Sequence, residues 1–103
     1  MTLKELKERC DEANIAYQYG MIEEDTQPPY LMGVVSDSNN FIADNRVYKK
    51  IDSVELHYVF KTKNVEIEET IEQNILGDVA WRKSDETFYI DEGVWEVIYY
   101  FNI

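Results

Sequence analysis

Between residues 53 and 61, Val54, Leu56, Tyr58 and Phe60 take every second position, and Glu55, His57 and Lys61 fall on the other side. A period of two sends successive side chains to opposite faces, so this stretch predicts an antiparallel strand with one face in the core and one toward solvent. Residues 30–35, Tyr-Leu-Met-Gly-Val-Val, are apolar on both sides and predict a central strand covered on two faces. Ile15, Tyr17, Tyr19 and Met21 share a parity, which predicts an earlier strand broken by Glu23-Glu24-Asp25 and Pro28-Pro29. At the other end, Trp95, Val97, Tyr99 and Phe101 line one side of a last strand over 94–101.

Two segments have the helical period instead. Thr2 and Glu5 stand in capping-box spacing, and Leu3, Leu6, Cys10 and Ala13 follow at three- and four-residue steps, predicting a helix from residue 3 to about 13. Asn64 is a good N-cap for a second helix with Glu66, Glu68 and Glu69 in its first turns, an apolar edge of Ile67, Ile71 and Ile75, and Gly77 placed to end it. Glu66, Glu68, Glu69 and Glu72 are expected around an exposed face of that helix.

Polar clusters mark the turns. Asp37-Ser38-Asn39-Asn40 has turn chemistry, and Ala43-Asp44-Asn45 reads as a loop between paired strands, because Asp and Asn side chains bond nearby backbone and tolerate turn geometry. Asp91-Glu92-Gly93 predicts a hairpin turn of more than two residues. Trp81 has the opposite parity to Phe88 and Ile90, so one straight strand would send them to opposite faces; a turn or bulge at about 83–86 removes the conflict. The order helix, strands, helix, strands lacks alternating βα units and predicts an α+β fold: a mainly antiparallel sheet with two helices packed on one face. The apolar end of the chain either lies inside that sheet or presents an edge for pairing.

A chain of 103 residues suits one α+β domain spanning 1–103. Acids number 21 against 10 bases, a formal net charge of −11, which disfavours direct binding to nucleic acid or to anionic membranes. Eight Tyr, four Phe and two Trp exceed what a small core needs and raise the expectation of a protein-binding surface. The amino terminus is charged rather than apolar and no apolar run approaches a membrane span, so a cytoplasmic product is expected.

Little in the chain suggests chemistry. His57 is the only imidazole and is expected to be a solvated surface residue; Cys10, on the apolar stripe of the first helix, is expected to be an inert buried thiol. Asp37-x-Asn39 begins like a calcium loop, but Phe41 and Ile42 occupy a ligand position and the glycine position, and Tyr48 stands where the terminal Glu belongs. The four glycines are isolated, so there is no phosphate-binding loop. The expectation is a non-enzyme without cofactor or metal.

Several segments together resemble one family. Pro28-Pro29-Tyr30-Leu31, Asn40-Phe41-x-Ala43-Asp44-Asn45-x-Val47-Tyr48, Val54-Glu55-Leu56-x-Tyr58, the helix around Glu69, Ile71 and Glu72, and Glu92-Gly93-Val94-Trp95-Glu96-Val97 are similar to small tail-completion or head-tail joining proteins, tail-terminator-like, of long-tailed phages and prophages of Gram-positive bacteria. The resemblance implies a virion structural protein that assembles in the host cytoplasm with other phage structural proteins, as a homo-oligomeric ring in the virion, with a monomer as the alternative state in solution. It implies that carboxylates such as Glu23, Glu24, Asp25, Glu66 and Glu69 face a lumen or the exterior, where a negative wall lets DNA slide past. The interface candidates are Tyr30, Asp44, Asn45, Tyr48, Trp95, Tyr99, Tyr100 and Phe101, although turn hydrogen bonding is the plainer role for Asp44 and Asn45. The alternative is a small acidic DNA mimic that inhibits a DNA-binding enzyme; interspersed cations such as Lys49, Lys50, Lys61, Lys63, Arg82 and Lys83 interrupt any phosphate-like stripe.

Overall fold

The computed structural model describes residues 1–38, 40–43 and 45–103, with backbone pairing only for Phe41, Ile42, Ala43, Val47 and Tyr48. The fold is α+β: two helices and a six-stranded, mostly antiparallel sheet, with a separate two-stranded sheet. Helix α1 (Leu3–Glu12) starts as its capping box requires, the Glu5 amide donating to Thr2 Oγ1 at 3.1 Å. It ends at Asn14, whose φ of 59° lets the Ile15 amide reach the Cys10 carbonyl and the Asn14 amide that of Asp11, the paired bonds of a Schellman stop.

Strand β1 (Ala16–Tyr19) pairs parallel to β2 (Tyr30–Ser38), and every other strand pair is antiparallel. Parallel neighbours need a crossover. Here it is the segment 20–29, tied to β1 by Gln18: its Nε2 donates to Thr26 Oγ1 at 3.2 Å and its Oε1 accepts from the Glu23 amide at 2.6 Å. Residues 37 and 38 continue β2 rather than turning, beyond a bulge between Val35 and Asp37. Strands β3 (Phe41–Ala43) and β4 (Arg46–Lys49) then pair with each other around Asn45, whose φ is 61°, in keeping with a loop between paired strands. Asp44 lies outside the described residues.

Strand β5 (Asp52–Phe60) occupies the middle of the sheet, between β2 and the last strand, so the middle position expected for residues 30–35 belongs to β5 instead. Helix α2 (Val65–Thr70) is capped by Asn64 Oδ1, which accepts from the amides of Glu66 and Ile67. It runs into a π-helical turn, Ile71–Ile75, in which the Leu76 amide bonds back to the Ile71 carbonyl. The wider turn brings Leu76 into the core beside Ile71 and Ile75. Gly77 ends it by necessity, since a β-carbon there would stand 2.1 Å from the Gln73 carbonyl oxygen.

Strands β6 (Trp81–Lys83) and β7 (Thr87–Tyr89) both pair with β8 (Val94–Asn102). Between Lys83 and Thr87 the chain advances four residues while β8 advances three between Glu96 and Tyr99. This one-residue bulge is the device that the opposed parities of Trp81 and Phe88 require, and it places both opposite inward residues, Phe101 and Trp95. Ser84 secures it, its amide donating to the Ile98 carbonyl and its Oγ accepting from the Ile98 amide, each at 2.8 Å. Gly93, at φ 66°, closes the turn between β7 and β8.

One buried cluster joins Leu31, Val54, Leu56, Tyr58, Phe60, Val97, Tyr99 and Phe101 of the sheet to Leu6, Cys10, Ile71, Ile75 and Leu76 of the helical segments. Burying a side chain such as Leu or Ile stabilises the fold by about 1.5–3 kcal/mol, so this cluster dominates stability. Arg9 fastens α1 to the end of the π turn, donating to both carboxylate oxygens of Asp78 at 2.6 and 2.9 Å and to the Ile75 carbonyl at 2.9 Å. The molecule measures 50 × 28 × 24 Å with a radius of gyration of 14.7 Å, longer than the about 13 Å of a compact chain this size.

Candidate docking surface

Alternation in β2, β5 and β8 leaves a second face of the sheet, carrying Tyr30, Met32 and Val34, then Glu55, His57 and Val59, then Glu96, Ile98 and Tyr100. Most of these side chains are half-buried, and Val59 is buried. The expected full coverage of residues 30–35 on both sides is not met, because Met32 and Val34 remain partly open.

His57 differs most from its expectation. It lies in register between Met32 and Ile98, its side chain only 15% exposed, with Nδ1 3.1 Å from Glu96 Oε2 and Nε2 3.1 Å from Glu55 Oε1. The Tyr89 hydroxyl donates to Glu96 Oε1 at 3.0 Å, which holds its phenol proton more tightly than usual. Both ring nitrogens therefore meet carboxylates, and the cluster serves to tie β5, β7 and β8 together across this face. Arg82 lies 4.4 Å from the centre of the Tyr100 ring, a cation–π contact that orients the guanidinium. Beside it, an open depression of about 600 Å³ is lined by Ser36, Ser53, Glu55, Arg82, Tyr100 and Asn102 among others.

On the inward side, Glu68 is buried rather than displayed. Lys83 Nζ donates to Glu68 Oε1 at 2.7 Å and to Glu72 Oε2 at 2.9 Å, while Lys63 Nζ meets Glu68 Oε2 at 2.7 Å in an ionic contact outside hydrogen-bond angles. Burial disfavours the Glu68 carboxylate, but the two ammonium groups outweigh that cost and hold its pKa below the ordinary value. Lys63 also pairs with Glu86, and the Tyr99 hydroxyl donates to Glu72 Oε2 at 2.8 Å. Burial and that bond to a carboxylate both raise the Tyr99 pKa. The acidic helix face is thus partly a clamp joining α2 to β6 and to the segment after β5. Burial likewise pushes the Cys10 thiol up to about 12, in keeping with an inert thiol.

The candidate interface residues separate. Tyr99 and Phe101 are core residues, because they point to the face packed on the helical segments, and β6 and β7 occupy the flank of β8 that a terminal edge strand would have left open. Trp95 is half-buried against the core and Phe88, while Tyr30 and Tyr100 lie half-exposed on the open face. Asn45 is exposed at the β3–β4 loop; the Asp44 expectation, and that for the Tyr48 side chain, fall outside the described residues. Sequence pattern did not single out the large exposed apolar residues at the sheet edges: Tyr19 and Met21 beside β1, and Trp81, Phe88, Tyr89 and Ile90 along β6 and β7. Their exposure follows from strand order, which the local pattern does not carry.

Among the described residues no group of three or more His, Cys, Asp and Glu side chains is arranged to hold a metal ion, and no helix is long and apolar enough to cross a membrane. No family model matches the chain, and no curated protein matches it.

Proposed function

We propose that the chain is a non-enzymatic structural subunit that works by docking to other proteins, in tail completion or head-tail joining of a long-tailed phage or prophage. The observation that carries this reading is the set of large apolar side chains left exposed at both edges of a well-packed sheet, Met21 and Ile90 most of all at 74% and 82%. The elongated body and the two-stranded sheet formed by β3 and β4 give it reach. The sequence resemblance described above points the same way, and the surplus of carboxylates suits a component past which DNA moves.

The DNA-mimic reading gains no support from the charge arrangement. Glu68, Glu72 and Glu86 are bound to Lys63 and Lys83, and Asp78 to Arg9, so part of the acidic surplus serves the fold. The test is deletion of the gene from the phage or prophage genome that encodes it, with electron microscopy of the lysate. The joining role predicts DNA-filled heads accumulating beside unattached tails. Intact, infectious particles in normal yield would overturn it.

A further inference from the structure

Two adjoining recesses lie between the α1–β1 corner, the Pro28-Pro29 pair and α2. The first, of about 400 Å³, is walled by Ala13, Ile15, Pro29, Ile67 and Thr70 among others; the second, of about 240 Å³, by Pro28, Tyr58, Phe60, Lys61, Thr62 and Asn64 among others. Pro29 and Ile67 line both, which makes them one trough with an apolar end and a more polar end. Charge sets this trough apart from the rest of the surface. The chain has 21 acids in 103 residues, yet no Asp or Glu is among the described residues that line either recess, and Lys61 is the one charged side chain there. Lys61 is exposed and enters no ion pair among the described residues. The acids next to the walls in sequence, Glu12, Glu66 and Glu69, are exposed and line neither recess, and Glu68 is bound by Lys63 and Lys83.

An independent observation falls at the same place. Tyr58, stacked on Phe60 with ring centres 4.9 Å apart, is fully buried, and its hydroxyl has no hydrogen-bond partner among the described residues. Burial pushes that phenol up to about 12, so at neutral pH it is a protonated donor with nothing to donate to. Buried donors in native folds are almost always paired, and an unpaired one in the wall of a recess points to an acceptor from outside the chain. We propose that the trough binds a linear aliphatic carboxylate, its tail against Ala13, Ile15, Pro29 and Ile67 and its head group taken up by Lys61 Nζ and the Tyr58 hydroxyl. Asn64 stands at the same end, and its amide nitrogen is a further donor because its Oδ1 caps α2. Burial of the tail supplies affinity, while the ammonium and the buried donor select a carboxylate over an alcohol or an amine. This binding goes beyond the docking role and does not depend on it.

The test is titration of the isotope-labelled chain with sodium octanoate up to about 20 mM, followed by amide chemical shifts in NMR spectra. Saturable shifts centred on residues 13–16 and 61–67 are expected, with a Kd of about 1 mM or below, within reach of a ligand of about ten non-hydrogen atoms. Butanoate should bind at least about tenfold more weakly, since each buried methylene contributes about fourfold. Lys61→Glu, at an exposed position, should weaken octanoate binding about tenfold or more. Tyr58→Phe should weaken it about fivefold and leave the free chain at least as resistant to urea as the wild type, because the hydroxyl removed has no partner to lose. No saturable shift, shifts centred on Trp81, Phe88 and Ile90, octylammonium binding the trough as well as octanoate, or either variant binding like the wild type overturns the inference. An acetylated dileucine, with the same charge on a branched body, should bind more weakly than octanoate; tighter binding would make the occupant a peptide terminus and overturn the ligand class. The gene-deletion test is independent of all these outcomes.

Discussion

Leu56 and His57 are neighbours on β5, yet they sit in opposite environments. Leu56 lies in register between Gly33 and Tyr99, fully buried in the cluster that includes residues of α1 and of the π turn; His57 lies between Met32 and Ile98, its ring held by two carboxylates. One face is closed by apolar packing and the other by a polar tie that leaves apolar neighbours partly open. Residues on the first face make the fold and those on the second stay partly open to solvent, a difference that substitution can press.

The largest effect is expected on the covered face. Leu56→Ala removes a fully buried side chain and should lower unfolding free energy by about 2–5 kcal/mol, whereas Met32→Ala on the open face should cost less than half as much. Urea denaturation of the two variants measures the difference; equal losses would mean that the open face is covered in solution. Gly77→Ala comes next, at about 1–3 kcal/mol, because its β-carbon meets backbone that cannot move aside. Gly33→Ala should cost less: the obstruction there is the hydroxyl end of Tyr17, a side chain able to shift.

Glu68→Gln tests the ionic clamp. Breaking a fully buried pair costs about 3–5 kcal/mol, but Lys63 and Lys83 are 48% and 30% exposed, so screening reduces the expected loss at neutral pH to about 1–3 kcal/mol. The folded-state pKa of Glu68 is depressed, so its contribution is complete above the unfolded carboxylate value, about 4, and is lost as pH falls through the lower folded value. The stability gap between wild type and Glu68→Gln should therefore narrow on acidification below about pH 4, as followed by thermal melts across a pH series. The smallest effect belongs to Lys7→Ala, since the Lys7–Asp11 pair is 60% exposed on both sides; a change within about 0.5 kcal/mol is expected by the same denaturation assay.

The elements set by local pattern were legible in the sequence. The capping box of α1, the alternation of β5, the Asn64 cap, the bulge before β7 and the long turn before β8 all arise from neighbours within a few residues. Features that depend on distant partners were not. The parallel pairing of β1 with β2 leaves the same alternation as an antiparallel one, and the burial of Glu68 depends on lysines that the chain brings back from outside the helix. The π turn that buries Leu76 has the same Ile67, Ile71 and Ile75 spacing as an ordinary helix. The candidate surface suffered most from this. Tyr99 and Phe101 were attractive because the last strand could have been an edge, and strand order places β6 and β7 beside it; the same order exposes Trp81, Phe88 and Ile90.

The proposal that this chain is an assembled particle component rather than a catalyst or a free inhibitor is tested most directly by its copy number in phage particles purified from an induced culture of the strain that encodes it. Quantitative mass spectrometry against isotope-labelled peptides should find a fixed, small number of copies per particle, unchanged through repeated gradient purification. Complete loss of the chain from infectious particles would contradict the account.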